Sequence, residues 1–464
     1  MKPSSHHRRT VCALTAWTLV VAGCGGDDDD SDSAASTPVG DPPATTAPPV
    51  TDPPPTTAPP VTDPPATTAP PVTDPPAATA PPSSPPETAR TPAGTETPGP
   101  DDDELTAQIE AVLTDAIAPG SIRWDSSGIE APPTAAVAAV RIPGRDDVLV
   151  AVGTNVDGTP TEADAPYHVG TLGDSLVRSV AFRMVDDGVL DPTSTVERWV
   201  PTYPNANRVT VQMLLDNTTG WSDWGPITPD PVVGDFGRSW SLREAVELRA
   251  TVTTALDEPG TMTDEGLNNE TVLGLVVEEV GGRPLAELVR LEVAEPAGLD
   301  HTNLSDGRES VEDFRYGVVA LGGSPADTSS IEPVSFMTWW QATHSVISTP
   351  SDLLDLLDVW ESGGLFTTDR TLAPDRLAPD PAGNPETFIG VGIPFNAYCP
   401  CTEVDGGIEP AAIGRVPGAP GTRTVMLRYV DGISVVVNVN SNEADSAEIR
   451  AVANVVHDTA AATL

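Results

Sequence analysis

The chain has 464 residues, 51 of them proline, and a formal net charge of −44 at pH 7 from 24 basic and 68 acidic residues. This acidity excludes nucleic acid and anionic lipid surfaces as electrostatic partners, because both would be repelled. Lys2 is the only lysine, so any chemistry that needs a lysine base beyond the N-terminal segment is also excluded.

Residues 1–24 have the pattern of an exported lipoprotein signal. Basic residues come first, and a short apolar core follows at residues 11–21. The run Val-Ala-Gly-Cys at residues 21–24 resembles a bacterial lipobox, in which the cysteine thiol receives the lipid. The apolar core is too short and too interrupted to span a bilayer as a helix. We therefore expect a protein outside the cytoplasm, attached to the membrane through lipid on Cys24.

Residues 25–100 form a low-complexity segment. After a run of aspartates, a unit close to Thr-Asp-Pro-Pro-Ala-Thr-Thr-Ala-Pro-Pro-Val repeats along it. The segment has almost nothing apolar to bury, and its prolines block helices and sheet ladders. We expect an extended tether with a reach on the order of 200 Å, at about 3.1 Å per residue. Such a tether would carry a domain into or beyond the cell wall.

A folded domain is expected at residues 101–464. Strand alternation, helical periodicity and turn residues follow one another along it. In chain order the sequence predicts a helix at 102–118, strands at 135–141 and 148–152, helices at 172–187, 211–215, 242–248, 269–280, 284–293 and 351–361, strands at 423–429 and 433–440, and a last helix at 443–459. Strands at both ends and helices between them predict an α+β fold, in which an antiparallel sheet built from both termini carries an inserted helical lobe.

Two cysteines, Cys399 and Cys401, remain in this domain. Too few further ligand residues lie near them for a zinc site. In an oxidising exterior the pair predicts either a local disulfide or two free thiols. No residue is assigned to a metal, and no cofactor is predicted.

The run from Tyr167 to Asp191 is the first of a series of segments that match a known family. This run resembles the active-site helix of the serine β-lactamase-related and penicillin-binding proteins, a family that includes class C β-lactamases, D-alanyl-D-alanine carboxypeptidases and esterases. The similarity spans about residues 130–460 and implies the β-lactamase/transpeptidase-like fold. The further matching segments, in order, are 196–220, 258–261, 272–282, 296–302 and 345–354.

The catalytic positions implied by this resemblance are degenerate. The family acylates the serine of Ser-x-x-Lys, and the lysine, helped by the tyrosine of Tyr-x-Asn, removes the serine proton. Ungapped counting places Thr171 at the serine and Asp174 at the lysine. The tyrosine becomes Glu265 and the asparagine becomes Leu267.

The third family motif, a Lys/His-x-Gly strand, becomes Arg415-Val-Pro417. Proline has no N–H to offer to a substrate backbone at a strand edge, so we expect Pro417 to weaken substrate pairing there. Residue counts support these losses without any alignment. No tyrosine lies between residues 203 and 316, and no histidine lies between residues 344 and 457.

In the family fold, Asp174, Glu265 and Arg415 would converge with Thr171 on one pocket. Two carboxylates and a guanidinium there predict either an internal salt-bridge network that fills the disused site or a pocket for a cationic ligand or metal ion. Thr171 keeps a hydroxyl, but a carboxylate is a weak base for it. A shifted Ser-x-x-Arg motif begins at Ser175, and arginine stays protonated.

The sequence therefore predicts a catalytically inactive relative that binds a peptidoglycan peptide, a small ligand or another envelope protein. Two alternatives stay open. The first is an active β-lactamase, carboxypeptidase or esterase that uses unorthodox residues. The second is a structural head on a surface spacer.

Overall fold

The computed structural model describes residues 100–118, 133–155, 158–222, 232, 235–261, 266–307, 318–321, 324–327, 334–366, 377–379, 387–391, 393–398, 402–404, 407–419, 421–441 and 446–464. These residues belong to one compact unit. Within them, no helix is both long enough and apolar enough to cross a membrane.

The described residues contain sixteen strands. They are β1 (Ala135–Arg141), β2 (Val148–Gly153), β3 (Tyr167–Gly170), β4 (Asn303–Leu304), β5 (Val318–Leu321), β6 (Ser324–Asp327), β7 (Val346–Ser348), β8 (Leu377–Pro379), β9 (Thr387–Gly390), β10 (Asn396–Tyr398), β11 (Thr402–Val404), β12 (Gly407–Glu409), β13 (Ala412–Arg415), β14 (Gly418–Ala419), β15 (Thr422–Tyr429) and β16 (Ser434–Val439).

The described residues also contain ten α-helices. They are α1 (Pro100–Ala116), α2 (Gly173–Asp186), α3 (Val211–Leu215), α4 (Leu242–Ala250), α5 (Leu267–Gly281), α6 (Leu285–Val289), α7 (Glu295–Ala297), α8 (Val334–Trp339), α9 (Pro350–Ser362) and α10 (Ser446–Ala461). The helix predicted at 284–293 is present, but only its first part is α-helical, because α6 continues into a π-helical stretch, Arg290–Ala294, and then into α7.

The main sheet confirms the predicted α+β architecture. Its strands run in the order β2-β1-β16-β15-β13-β10-β9-β8, with β14 also paired to β15. All of these pairings are antiparallel. The first described strand, β1, therefore lies between β2 and the last strand, β16, and the helical segment between the two ends of the domain is an insertion in the sheet.

Both faces of this sheet are covered, which explains why every residue of β16 is buried. Val435 and Val437 pack into one apolar cluster with side chains of α1 and α10, such as Leu105 and Ile449. Val436, between them in sequence, packs into the other cluster, which contains the side chains of α2, α5 and α9. This alternation follows from the two-residue period of a strand.

The connection from β3 into α2 is held close to β14. Gly170 has φ +95°, and a Cβ placed on it would lie 2.4 Å from the carbonyl carbon of Gly418. Only glycine tolerates both the dihedral and the contact. The N–H of Gly173 donates to the carbonyl of Thr343 at 2.9 Å. Thr171 is consequently fixed between a backbone contact on one side and a backbone hydrogen bond on the other.

Candidate active site

Thr171 lies in the turn between β3 and α2 and is partly exposed. Its Oγ1 accepts a hydrogen bond from the backbone N–H of Gly418 at 3.4 Å. The hydroxyl therefore points toward the edge of the main sheet at β14. A side-chain hydroxyl beside a backbone donor at the start of a helix supports acyl-transfer chemistry only if a base is also present.

The residue at the position of the family lysine forms a buried ion pair. Asp174, in the first turn of α2, is 2% exposed, and its Oδ2 lies 2.5 Å from a terminal guanidinium nitrogen of Arg415. Arg415 is 8% exposed and lies at the end of β13. The Ser175 hydroxyl donates to the other carboxylate oxygen of Asp174 at 3.2 Å. Both oxygens of Asp174 thus have protein partners, which makes this carboxylate a poor proton acceptor for Thr171.

A second buried ion pair lies one helical turn further along α2. A terminal nitrogen of Arg178 lies 3.6 Å from Glu270 on α5 and 3.3 Å from the side-chain oxygen of Asn217. Ser175 is 1% exposed, so the hydroxyl of the shifted Ser-x-x-Arg motif is not accessible. The two pairs connect α2 to the sheet through Arg415 and to the helical lobe through Glu270.

The second motif is only partly visible in the structure. Glu265 lies outside the described residues. Leu267 begins α5 and is 6% exposed, in a cluster with Trp240, Trp339 and Trp340. An apolar side chain in this aromatic cluster has no polar atom with which to replace the family asparagine. Cys24, Cys399 and Cys401 also lie outside the described residues.

The prediction for Pro417 is wrong in its geometry. The carbonyl of Pro417 accepts from the N–H of Thr424 at 2.9 Å, so this residue faces β15. In an antiparallel pair, the N–H and C=O of one residue point to the same neighbour. The N–H that proline lacks would therefore have pointed at Thr424 on β15, away from the site. The site-facing donor is the N–H of Gly418, which is intact and bonded to Thr171.

The structure brings Asp174 and Arg415 into direct contact and places Thr171 one turn before Asp174. It also shows site residues that sequence reasoning missed, namely Gly418, Thr343 and the buried histidines His168 and His344. The glycine directly before Thr171 indicated that another segment of backbone approaches closely there. Nothing in the local sequence indicated that this segment is Gly418. Within the described residues, no three metal-ligating side chains come together.

Comparison with known proteins decides the family. The family model described as Beta-lactamase matches residues 129–458, more than two thirds of the 464-residue chain. The chain belongs to the β-lactamase family. The D-amino acid amidase of Ochrobactrum anthropi SV3 has the same fold. Its structure in complex with D-phenylalanine aligns with a TM-score of 0.61 at 19% identity, over 78% of this chain and 98% of the amidase.

Two curated relatives are similar in sequence to parts of this β-lactamase family member. Penicillin-binding protein 4* of Bacillus subtilis (strain 168) is 21% identical over 305 residues, 62% of this chain and 63% of that protein. Esterase EstB of Burkholderia gladioli is 28% identical over 181 residues, 36% of this chain and 45% of the esterase. The chain thus spans less than two thirds of the length of the curated relatives that it matches.

We expect strong coupling between Asp174 and Arg415. Asp174→Leu or Arg415→Met alone leaves one charge buried without its partner and should lower the free energy of unfolding by about 3–5 kcal/mol. The double substitution removes both charges and should cost much less than the sum. Chemical denaturation of the wild type, the two single variants and the double variant measures this coupling.

The matched control is the pair Arg183–Glu292, which also involves α2 but has side chains 27% and 34% exposed. Removing either partner should cost at most about 1 kcal/mol. Additive effects of the Asp174 and Arg415 substitutions would contradict the buried pairing.

Proposed function

We propose that this β-lactamase family domain is a non-catalytic binding domain of the cell envelope. The observation that carries the proposal is the buried contact between Asp174 and Arg415. It occupies the positions that the family resemblance gives to the lysine base and to the cation of the third motif. A hydroxyl becomes a nucleophile when a base removes its proton, and here the carboxylate next to Thr171 is already neutralised by a guanidinium.

The same contact argues against a site for a cationic ligand. Asp174 and Arg415 carry opposite charges, and Arg178 and Glu270 are paired in the same way. A buried carboxylate attracts a cation only while its charge is not compensated. Among the described residues, the balance of charge therefore favours the internal salt-bridge network over a cation or metal site.

The names of the relatives suggest the class of ligand. They include a penicillin-binding protein, an esterase and a D-amino acid amidase. A domain that keeps this fold without a base would recognise compounds with an amide or ester group, and for an envelope protein the peptides of peptidoglycan are the first candidates. Fold alone does not transfer an activity, so the retained backbone geometry at Gly170 and Gly418 is the argument for a retained binding cleft.

A second candidate function is an acyl-transfer enzyme with an unorthodox base. The observation in its favour is the partly exposed hydroxyl of Thr171 beside the N–H of Gly418, at 3.4 Å. A backbone donor at such a position could stabilise a developing oxyanion. This reading requires a proton acceptor other than Asp174.

Covalent labelling distinguishes the two candidates. Residues 25–464 would be incubated with a penicillin and, separately, with a fluorophosphonate that labels activated hydroxyls, and then weighed by intact-protein mass spectrometry. We expect no adduct, because Asp174, the carboxylate at the position of the family base, is paired with Arg415. Thr171→Ala is the matched control and should likewise show only its own unmodified mass.

A stoichiometric adduct on the wild type that is absent from Thr171→Ala would contradict the non-catalytic proposal. It would establish the acyl-transfer enzyme instead. A thermal melting transition recorded on each sample ensures that a negative result comes from folded protein.

We further propose that the domain is displayed outside the membrane on lipid at Cys24 and on the tether of residues 25–100. The lipobox-like run, the charged start and the proline-rich repeats support this arrangement. In a bacterial host, the full chain should partition into the detergent phase, and Cys24→Ser should release it to the aqueous phase. Cys12→Ser, which changes a cysteine within the apolar core, should have no effect. Detergent partitioning of Cys24→Ser like the wild type would contradict the lipid anchor.

A further inference from the structure

Two buried histidines meet directly behind the turn that carries Thr171. His168 lies in the middle of β3 and is 2% exposed, and His344 lies just before β7 and is 1% exposed. The Nε2 of His168 is within hydrogen-bonding distance of the carbonyl oxygen of His344. A carbonyl only accepts, so Nε2 carries the proton in this contact.

The dipeptide Thr343-His344 holds the chain on both sides of Thr171. The carbonyl of His344 accepts from His168, three residues before Thr171. The carbonyl of Thr343 accepts from the N–H of Gly173, two residues after it, at 2.9 Å. A Cβ placed on Gly173 would lie 2.7 Å from this carbonyl oxygen, so the two backbones are in close contact. A movement of the dipeptide would free the turn at both ends.

The ring of His344 is also fixed by its surroundings. Its Nδ1 lies 2.8 Å from the hydroxyl of Thr343, and this hydroxyl donates to the carbonyl of Trp340 at 3.2 Å. Because the hydroxyl proton of Thr343 points to the carbonyl of Trp340, the hydroxyl oxygen accepts a hydrogen bond from Nδ1–H of His344. The ring packs on Trp340 with centroids 5.0 Å apart, and the guanidinium of Arg249, on α4, lies 4.0 Å from the centroid of the Trp340 ring.

Both histidines are consequently arranged to be neutral. Each has one ring nitrogen that donates to an oxygen, and a second proton would add charge to a site with almost no access to water. Arg249 faces His344 as a permanent positive charge from α4, and each histidine faces the other. Protonation of either ring would place like charges together in an apolar cluster, at a cost that opening to solvent would relieve.

We propose that His168 and His344 form an acid-sensitive latch, which holds the Thr171 turn closed at neutral pH and releases it as the medium becomes acidic. The latch does not depend on whether the domain is catalytic. A domain displayed outside the membrane, as proposed above, would meet the pH of the surroundings directly. The latch would then couple external acidity to access at the ligand cleft.

The direction of the effect follows from linkage. Burial lowers the pKa of His168 from the ordinary 6.5 to about 4. Burial, followed by the charges of His168 and Arg249, also holds the pKa of His344 well below its ordinary value. Because both values are lowered in the closed form, the stabilisation is complete above pH 6.5 and is lost as the pH falls from 6.5 toward 4. For His168 alone the opening equilibrium should rise about 30-fold between pH 7.5 and 5.

Hydrogen exchange followed by mass spectrometry tests the latch. Residues 25–464 would be compared at pH 7.5 and pH 5, with exchange times corrected for the intrinsic pH dependence of the amide reaction. Peptides covering residues 167–175 and 340–348 should lose protection by about 30-fold or more. Peptides of β15 and β16 should keep their protection, which separates a local opening from global unfolding.

Three variants give the test its specificity. His168→Gln retains an N–H donor for the carbonyl of His344 but does not titrate, and should have a much smaller acid response. His344→Gln removes the second titrating ring and should also reduce the response. His301→Gln is the matched control, because the His301 side chain is 63% exposed, and should respond like the wild type.

Equal loss of protection across the whole main sheet, or an undiminished acid response in both His168→Gln and His344→Gln, would overturn the proposal. If the variants do not fold, NMR titration of the histidine rings in the wild type decides. Rings that titrate only below pH 6, together with amide exchange at residues 167–175 that accelerates as the pH falls from 6.5 to 5, would support the latch, and unchanged exchange there would refute it. Titration of His168 or His344 above pH 6 would refute it.

Discussion

The carboxylate of Asp174 and the guanidinium of Arg415 meet where water is almost excluded, and much of the surrounding arrangement depends on that contact. It attaches the first turn of α2 to β13 of the main sheet. One turn further on, Arg178 attaches the same helix to α5 through Glu270. Burial removes water from both charges of each pair at a large cost in free energy, so each pair contributes only modestly to net stability. Removal of one partner would still be strongly destabilising, because it would leave the other charge uncompensated. The main effect of the two pairs is therefore to fix the position of α2 between the sheet and the helices, and their contribution to the free energy of unfolding is small.

This position of α2 determines what the site can do. Thr171 accepts a hydrogen bond from the N–H of Gly418. Asp174, at the position that the resemblance gives to the base, forms an ion pair with Arg415. Under the proposed function, the site would recognise a ligand without activating this hydroxyl. The latch proposed for His168 and His344 would act on the turn that carries Thr171. Ligand access to the cleft would then be controlled by the histidines, and the chemistry of the hydroxyl by Asp174 and Arg415.

Much of the fold followed from the sequence because its strands and helices have clear periods. The strands predicted at residues 135–141, 423–429 and 433–440 and the helix predicted at 172–187 agree with the structure to within a few residues. The expectation that Pro417 weakens substrate pairing was wrong because strand register decides whether the N–H of a residue points to the neighbouring strand or to the site. Register depends on tertiary pairing and cannot be derived from the local sequence. The histidine pair was missed for a similar reason, since His168 and His344 are 176 residues apart and meet only through the pairing of β3 with β7.

The most direct test of a domain that binds without reacting combines affinity and turnover in one sample. A peptide ending in D-alanyl-D-alanine would be titrated into residues 25–464 by calorimetry, and the same mixture would then be analysed by mass spectrometry for released D-alanine. The account predicts saturable binding and an intact peptide after prolonged incubation. Release of D-alanine that Thr171→Ala abolishes would contradict it, because a working base would then have to exist beside Thr171.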